Sequence, residues 1–154
     1  MKAQRFIRKA RTTNPRTISK PMRYLLDTNI CVHLIQRHPP ELLHRIQEFD
    51  YGDLVISVIT LAELRHGVER NPAIQPEAER ALDTLLTYLP VLPLDNAVAV
   101  QYGVFAAAVR DRRRDAFDRL IAAHAASLDL TLITNNEADF RDYPGLVVEN
   151  WVAP

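Results

Sequence analysis

Four carboxylates and one side-chain amide stand at positions where oxygen donors could be gathered. Asp27 closes the run Leu25-Leu26-Asp27-Thr28-Asn29, and Glu63 lies in Ser57-Val58-Ile59-Thr60-Leu61-Ala62-Glu63-Leu64. Asp118 precedes Leu120-Ile121-Ala122-Ala123-His124-Ala125, and Asp139 follows Thr134-Asn135-Asn136. Hard oxygen donors of this kind hold divalent cations such as Mg²⁺. Each also has an ordinary explanation. Asp27 and Asp118 suit helix caps, Glu63 suits a solvated position near a helix N-terminus, and Asn136 and Asp139 suit a turn. Their joint placement says more than any one of them. Acids or amides follow three separate apolar runs, and a fourth heads a nearly all-apolar segment, where a desolvated carboxylate needs a partner or a metal.

The elements that must position these residues follow from periodicity. Met22–Leu26, Leu54–Ser57, Val91–Leu94, Thr131–Thr134 and Leu146–Glu149 read as short strands. Pro93 places the third at an edge or makes it short. Helical spacing covers Ile30–Gln36, Glu41–Phe49, Thr60–Arg70 and Glu77–Leu89. A long helix capped by Asp95 is expected to run to about Arg112, and another over Asp118–Ser127. Glu63 then shares a face with Thr60, His66 and Gly67, away from Leu61, Leu64 and Val68. Alternating β and α units predict an α/β fold with a parallel sheet covered on both faces. Ligand sites in such sheets lie at the carboxyl ends of the strands, which is where Asp27, Asn136 and Asp139 fall.

Other chemistries are excluded. The five histidines show neither the HxxxH spacing nor the Cys/His clustering of a zinc site, and His124 in its alanine-rich run reads as a core histidine. With four glycines and no Gly-x-x-x-x-Gly-Lys, a phosphate-cradling loop is absent. Gly-x-Ser-x-Gly, the hydrolase nucleophile elbow, is also missing. The chain has 154 residues, 47% of them hydrophobic and 25% charged, enough for one domain with a single-chain core. No apolar run approaches the roughly 20 residues that span a bilayer. One cysteine, Cys31, forms no internal bridge, so a reducing cytoplasm is the expected location.

The zero net charge hides an asymmetry. Residues 1–21 carry Lys2, Arg5, Arg8, Lys9, Arg11, Arg16 and Lys20 and no acid, which leaves 12 arginines against 19 acids in residues 22–154. Residues 1–21 lack an apolar pattern and are expected to form a basic, disordered N-terminal extension. They read as expression-derived residues, or as sequence upstream of a start at Met22, in preference to a nucleic-acid-binding arm. Residues 22–154 are expected to form the single domain. So acidic a body is not built to coat a polyanion unless bound cations neutralise some of its carboxylates.

Taken in order, Asp27-Thr28-Asn29, the Ile56–Leu64 segment, Asp118 with Ile121-Ala122-Ala123-His124-Ala125, Thr134-Asn135-Asn136 and the terminal Pro144-Gly145-Leu146-Val147-Val148-Glu149-Asn150-Trp151 resemble a PIN-domain ribonuclease of the VapC toxin type. The resemblance spans about residues 22–152. It implies a three-layer α/β/α sandwich with a central parallel β-sheet and an acidic pocket for Mg²⁺, with Mn²⁺ as a substitute. By position, Asp27 and Asp118 match the family's metal-binding aspartates, and Glu63 matches its helix-borne glutamate. Where many relatives carry a fourth aspartate this chain has Asn136, and Asp139 stands where relatives with the Thr-Asn-Asn form place an acid. The arginine-rich stretch Arg112-Arg113-Arg114-Asp115 departs from the family's usual glycine-containing loop.

The resemblance implies an endoribonuclease that leaves 5′-phosphate and 3′-hydroxyl ends and inhibits translation and growth. It also implies a homodimer and a cognate VapB-type antitoxin that covers the cleft. Asp27, Glu63, Asp118 and Asp139 are then the catalytic set, and Thr28, Asn29, Thr134 and Asn136 orient them or the substrate. Arg110, Arg112, Arg113 and Arg114 offer a basic rim for RNA. Two alternatives stay open: a PIN nuclease of RNA processing without an antitoxin, and a catalytically silent PIN binding module.

Overall fold

The computed structural model describes residues 22–109 and 116–152. Five short strands form one parallel sheet: β1 (Tyr24–Leu26), β2 (Leu54–Ser57), β3 (Val91–Leu92), β4 (Thr131–Ile133) and β5 (Val148–Glu149). Their spatial order is β3-β2-β1-β4-β5. Tyr24 pairs with Leu54 on one side and Thr131 on the other, and Leu26 pairs with Ile133. The chain therefore builds outward from β1 to β3, then returns to the opposite side of β1 with β4. The connections reverse between β1 and β4, and a crevice opens there at the strands' carboxyl ends.

Strand residues alternate between the two faces. Leu25, Val55 and Leu132 join one core with Val98, Phe105, Ile121 and Tyr143. Leu26, Ile56 and Ile133 join a second with Ile30, Leu42, Leu64, Leu82 and Trp151. Both faces are buried, so each strand is a continuous apolar run without polar alternation. The first core lies beneath α5 (Asn96–Ala108) and α6 (Ala116–Ser127). The second lies beneath α1 (Thr28–Gln36), α2 (Pro40–Ile46), α3 (Val58–Glu69) and α4 (Gln75–Leu86). The result is the expected α/β/α sandwich. Each fully buried Leu or Ile contributes about 1.5–3 kcal/mol, so a core on each face offsets the ordering cost of such short strands.

Side-chain caps set where the helices begin. Asp27 accepts the Thr28 amide at 2.7 Å, Ser57 Oγ accepts that of Ile59 at 3.1 Å, and Asp95 accepts that of Val98 at 3.1 Å. Because Ser57 caps, α3 begins at Val58, two residues before the expected Thr60. The strand expected over Val91–Leu94 ends at Leu92, where Pro93 supplies no donor, and it does lie at the sheet edge. The helix expected over Glu41–Phe49 runs over Pro40–Ile46. Phe49 leaves it to stack on Trp151, centroids 5.2 Å apart. Helix α5 ends at Ala108, short of the expected Arg112. Strand β5 is two residues long, shorter than Leu146–Glu149. Asp118 lies inside the first turn of α6 and is not its cap.

Candidate active site

The site is assembled at the β1/β4 crevice. Asp27 is the residue after β1, and its backbone N–H donates to the Ile133 carbonyl at 2.9 Å, so the β1–β4 ladder continues to the aspartate itself. Its side chain is only 3% exposed. Oδ1 accepts the Thr28 amide. Oδ2 accepts the Thr134 hydroxyl at 2.9 Å, across 107 residues of sequence. Asp27 is thus a helix cap and a site residue at once, because the start of α1 and the crevice coincide.

Two branches extend from Asp27. On one, Thr28 Oγ1 donates to Glu63 Oε1 at 2.7 Å and lies 3.2 Å from Thr60 Oγ1. Thr60 is fully buried one turn before half-buried Glu63, so the first turns of α3 aim both at the end of β1. On the other branch, Thr134 Oγ1 accepts the Asn136 amide at 3.1 Å. The Asn136 carboxamide donates in turn to Asp139 Oδ2, in the 3₁₀ turn Glu137–Asp139. Thr28, Thr134 and Asn136 each hydrogen-bond to a carboxylate of this set. Asn29 is exposed, with no hydrogen bond to this network among the described residues.

The electrostatics follow from the burial. Desolvation raises the pKa of Asp27, and the negative charges of Glu63 and Asp139 push the same way; the bonds from Thr134 and Thr28 oppose them. The same buried charge helps burial to push the Cys31 thiol far above its usual range. Glu63 and Asp139 are therefore each close enough to repel the charge of Asp27. Asp118 is placed at this end of the sheet by topology alone. Helix α6 leads into β4, so its N-terminus lies over the strands' carboxyl ends, and Asp118 is half-buried in that first turn. Arg110, Arg112, Arg113, Arg114 and Asp115 lie outside the described residues.

Crowded carboxylates, one of them deeply buried, are an unfavourable arrangement for anions alone and a suitable donor set for a hard cation. Among the described residues no group of three or more His, Cys, Asp or Glu side chains is placed to hold a metal ion by itself. Mg²⁺ takes one or two carboxylates and keeps several waters.

Thr60, placed on Glu63's face by its spacing, belongs to the hydrogen-bonded network. Two further contacts went unread in the sequence. The Asn135 carboxamide donates to His33 Nε2 at 3.0 Å, tying α1 to the loop after β4. His124, read as a core residue, is buried but contacts the Ser57 cap of α3 at 2.8 Å.

Comparison with known proteins agrees with this geometry. The PIN domain family matches residues 24–146. Ribonuclease VapC2 of Rickettsia felis is 33% identical over 133 residues, covering 84% of this chain and 98% of that protein. The tRNA(fMet)-specific endonuclease VapC of Shigella flexneri is 34% identical over the same shares of the two chains. A chain in the crystal structure of VapBC2 from Rickettsia felis, bound to a DNA fragment from their promoter, superposes with a TM-score of 0.75 at 32% identity, covering 84% of this chain and 99% of that one. With the acidic crevice at the switch point of the sheet, these matches place the chain in the PIN-domain family and, within it, among the VapC ribonucleases.

Proposed function

We propose that this protein is the toxin of a toxin–antitoxin pair, a Mg²⁺-dependent endoribonuclease whose activity resides in the β1/β4 crevice. The observation that carries the reading is buried Asp27, held at both oxygens by hydrogen bonds, with Glu63 and Asp139 close enough to raise its pKa. Asp27 and Asp118 would hold the ion. When bound, a divalent cation supplies a water of lowered pKa and relieves charge at phosphorus.

The protein's own groups do the remaining work. Thr28 fixes Glu63 through Oε1, which leaves Oε2 to orient the attacking water or take its proton. Asn136 holds Asp139 at the opposite side of the crevice. Attack of water on phosphorus with departure of the 3′-oxygen leaves a 5′-phosphate and a 3′-hydroxyl. Clustered carboxylates repel RNA before the cation arrives, and Arg110, Arg112, Arg113 and Arg114 are proposed as contacts to its backbone.

The partner follows from the relatives. Solved structures similar to this chain include VapBC complexes from Rickettsia felis, Salmonella typhimurium and Haemophilus influenzae. We assign this chain a cognate VapB-type antitoxin that covers the crevice, a homodimeric state, and a role in arresting translation and growth. Initiator tRNA is the first substrate to test, because relatives are named for it. Purified protein is expected to cleave RNA with Mg²⁺ or Mn²⁺ and to stop when chelator or antitoxin is added. Asp27→Asn and Asp118→Asn should each remove cleavage while the protein stays folded. Equal cleavage by these variants would overturn the assignment. Folded wild-type protein without activity on any RNA would favour a silent binding module.

A further inference from the structure

The active-site network does not use His124, yet this imidazole joins the two carboxylate-bearing helices. It lies in α6, six residues after Asp118, and is 1% exposed. Its Nδ1 is 2.8 Å from Ser57 Oγ, six residues before Glu63. Ser57 Oγ already accepts the Ile59 amide, so its hydroxyl proton is available to Nδ1. Asp95 and the backbone of Pro93 also act on the ring. The imidazole thus lies between α6, the N-cap of α3 and the loop before α5.

The mechanical consequence lies in the first turn of α3. Ser57 sets where that helix starts, and Thr60 and Glu63 follow at intervals of three residues on one side. Thr60 and Glu63 both meet the Thr28 hydroxyl, and the Thr28 amide donates to its cap, Asp27. A helix start tied to α6 at Ser57 and to α1 at Thr28 cannot rotate without breaking one of these bonds.

We propose that His124 is a positioning residue: through Ser57 it locks the rotation of α3 relative to α6, and so sets Glu63 and Asp118 across the crevice from each other. This rests on the nuclease reading, and the test separates the two. In His124→Asn, the carboxamide oxygen can stand where Nδ1 does and keep the Ser57 bond. In His124→Gln, the amide reaches Pro93 and the Ser57 bond is lost. Ser57→Ala loses the bond from the other side, and is the second probe if His124→Gln does not fold.

Kinetics on RNA with Mg²⁺ are expected to show kcat reduced by on the order of 100-fold in His124→Gln and Ser57→Ala, the cost of a misplaced catalytic group. KM should stay within about twofold, and His124→Asn should stay near wild type. In metal-free protein, amide exchange at Thr60, Leu61 and Glu63 should quicken in the first two variants and not in His124→Asn. Wild-type kcat with only a lowered melting temperature in folded His124→Gln and Ser57→Ala would overturn the proposal. So would unchanged exchange in both. If wild-type protein fails to cleave RNA, the nuclease reading falls, and the exchange pattern alone still decides the role of His124.

Discussion

At the residue scale, Asp27 is under the most conflicting demands. Burial and the charges of Glu63 and Asp139 hold its pKa above 3.8. A carboxyl that binds its proton more tightly when folded favours the fold at low pH, and becomes a penalty as pH rises through that raised value. Asparagine removes the charge, keeps one oxygen to cap the Thr28 amide about as well as aspartate, and turns its NH₂ toward the Thr134 hydroxyl, which can accept. Metal-free Asp27→Asn is therefore expected to melt above wild type at neutral pH, with the gap closing toward about pH 4; calorimetry across that range checks it. Thr134 donates the bond that opposes the raised pKa. Thr134→Val should lower metal affinity or cleavage by about 10–100-fold, read by Mn²⁺ titration and by RNA kinetics.

At the element scale, short strands and capped helices divide the work. No strand exceeds four residues among the described ones, so precision at the crevice depends on where helices start. Asp27, Ser57 and Asp95 cap α1, α3 and α5 with side-chain oxygens. The first two place site residues, whereas Asp95 only begins a helix of the outer layer. Asp95→Ala should therefore cost about 1 kcal/mol in urea unfolding and leave kcat for RNA unchanged. Arg65 pairs with Glu79 and Asp83 across α3 and α4; these groups are substantially exposed, and such pairs contribute little. Packing of Leu64, Val68 and Leu82 is the stronger tie between those helices.

At the scale of the whole molecule, the fold concentrates acid at one end of its sheet. That arrangement predicts that Mg²⁺ stabilises the native chain by RT ln(1 + [L]/Kd), since an unfolded chain offers no such cluster. At ion concentrations near 100 times Kd the gain is about 2.7 kcal/mol. Differential scanning calorimetry should show the melting temperature rising with Mg²⁺ and returning with chelator, and Asp27→Asn should abolish the response. Among the described residues no helix is long and apolar enough to cross a membrane. The basic segment 1–21 lies outside the described residues. The family match begins at residue 24, at the start of β1.

The alternation of apolar runs with helical stripes was enough to establish a parallel, two-sided sheet, because burial on both faces writes itself into each strand locally. Asp27 and Glu63 stand in motifs at a strand end and in a helix's first turns, and the structure links both to Thr28. The exposure of Asn29, the start of α3 at Val58 and the early end of α2 were not legible, since each depends on what a neighbouring element offers. Only the tertiary structure set β4 beside β1, and with it the bond from Thr134 to Asp27. It alone turned His124 from a core residue into a joint between helices. Hydrophobic periodicity is a local record of which face is buried. Strand order and hydrogen bonds between residues 67 and 107 positions apart arise from packing between distant segments, which no local pattern encodes.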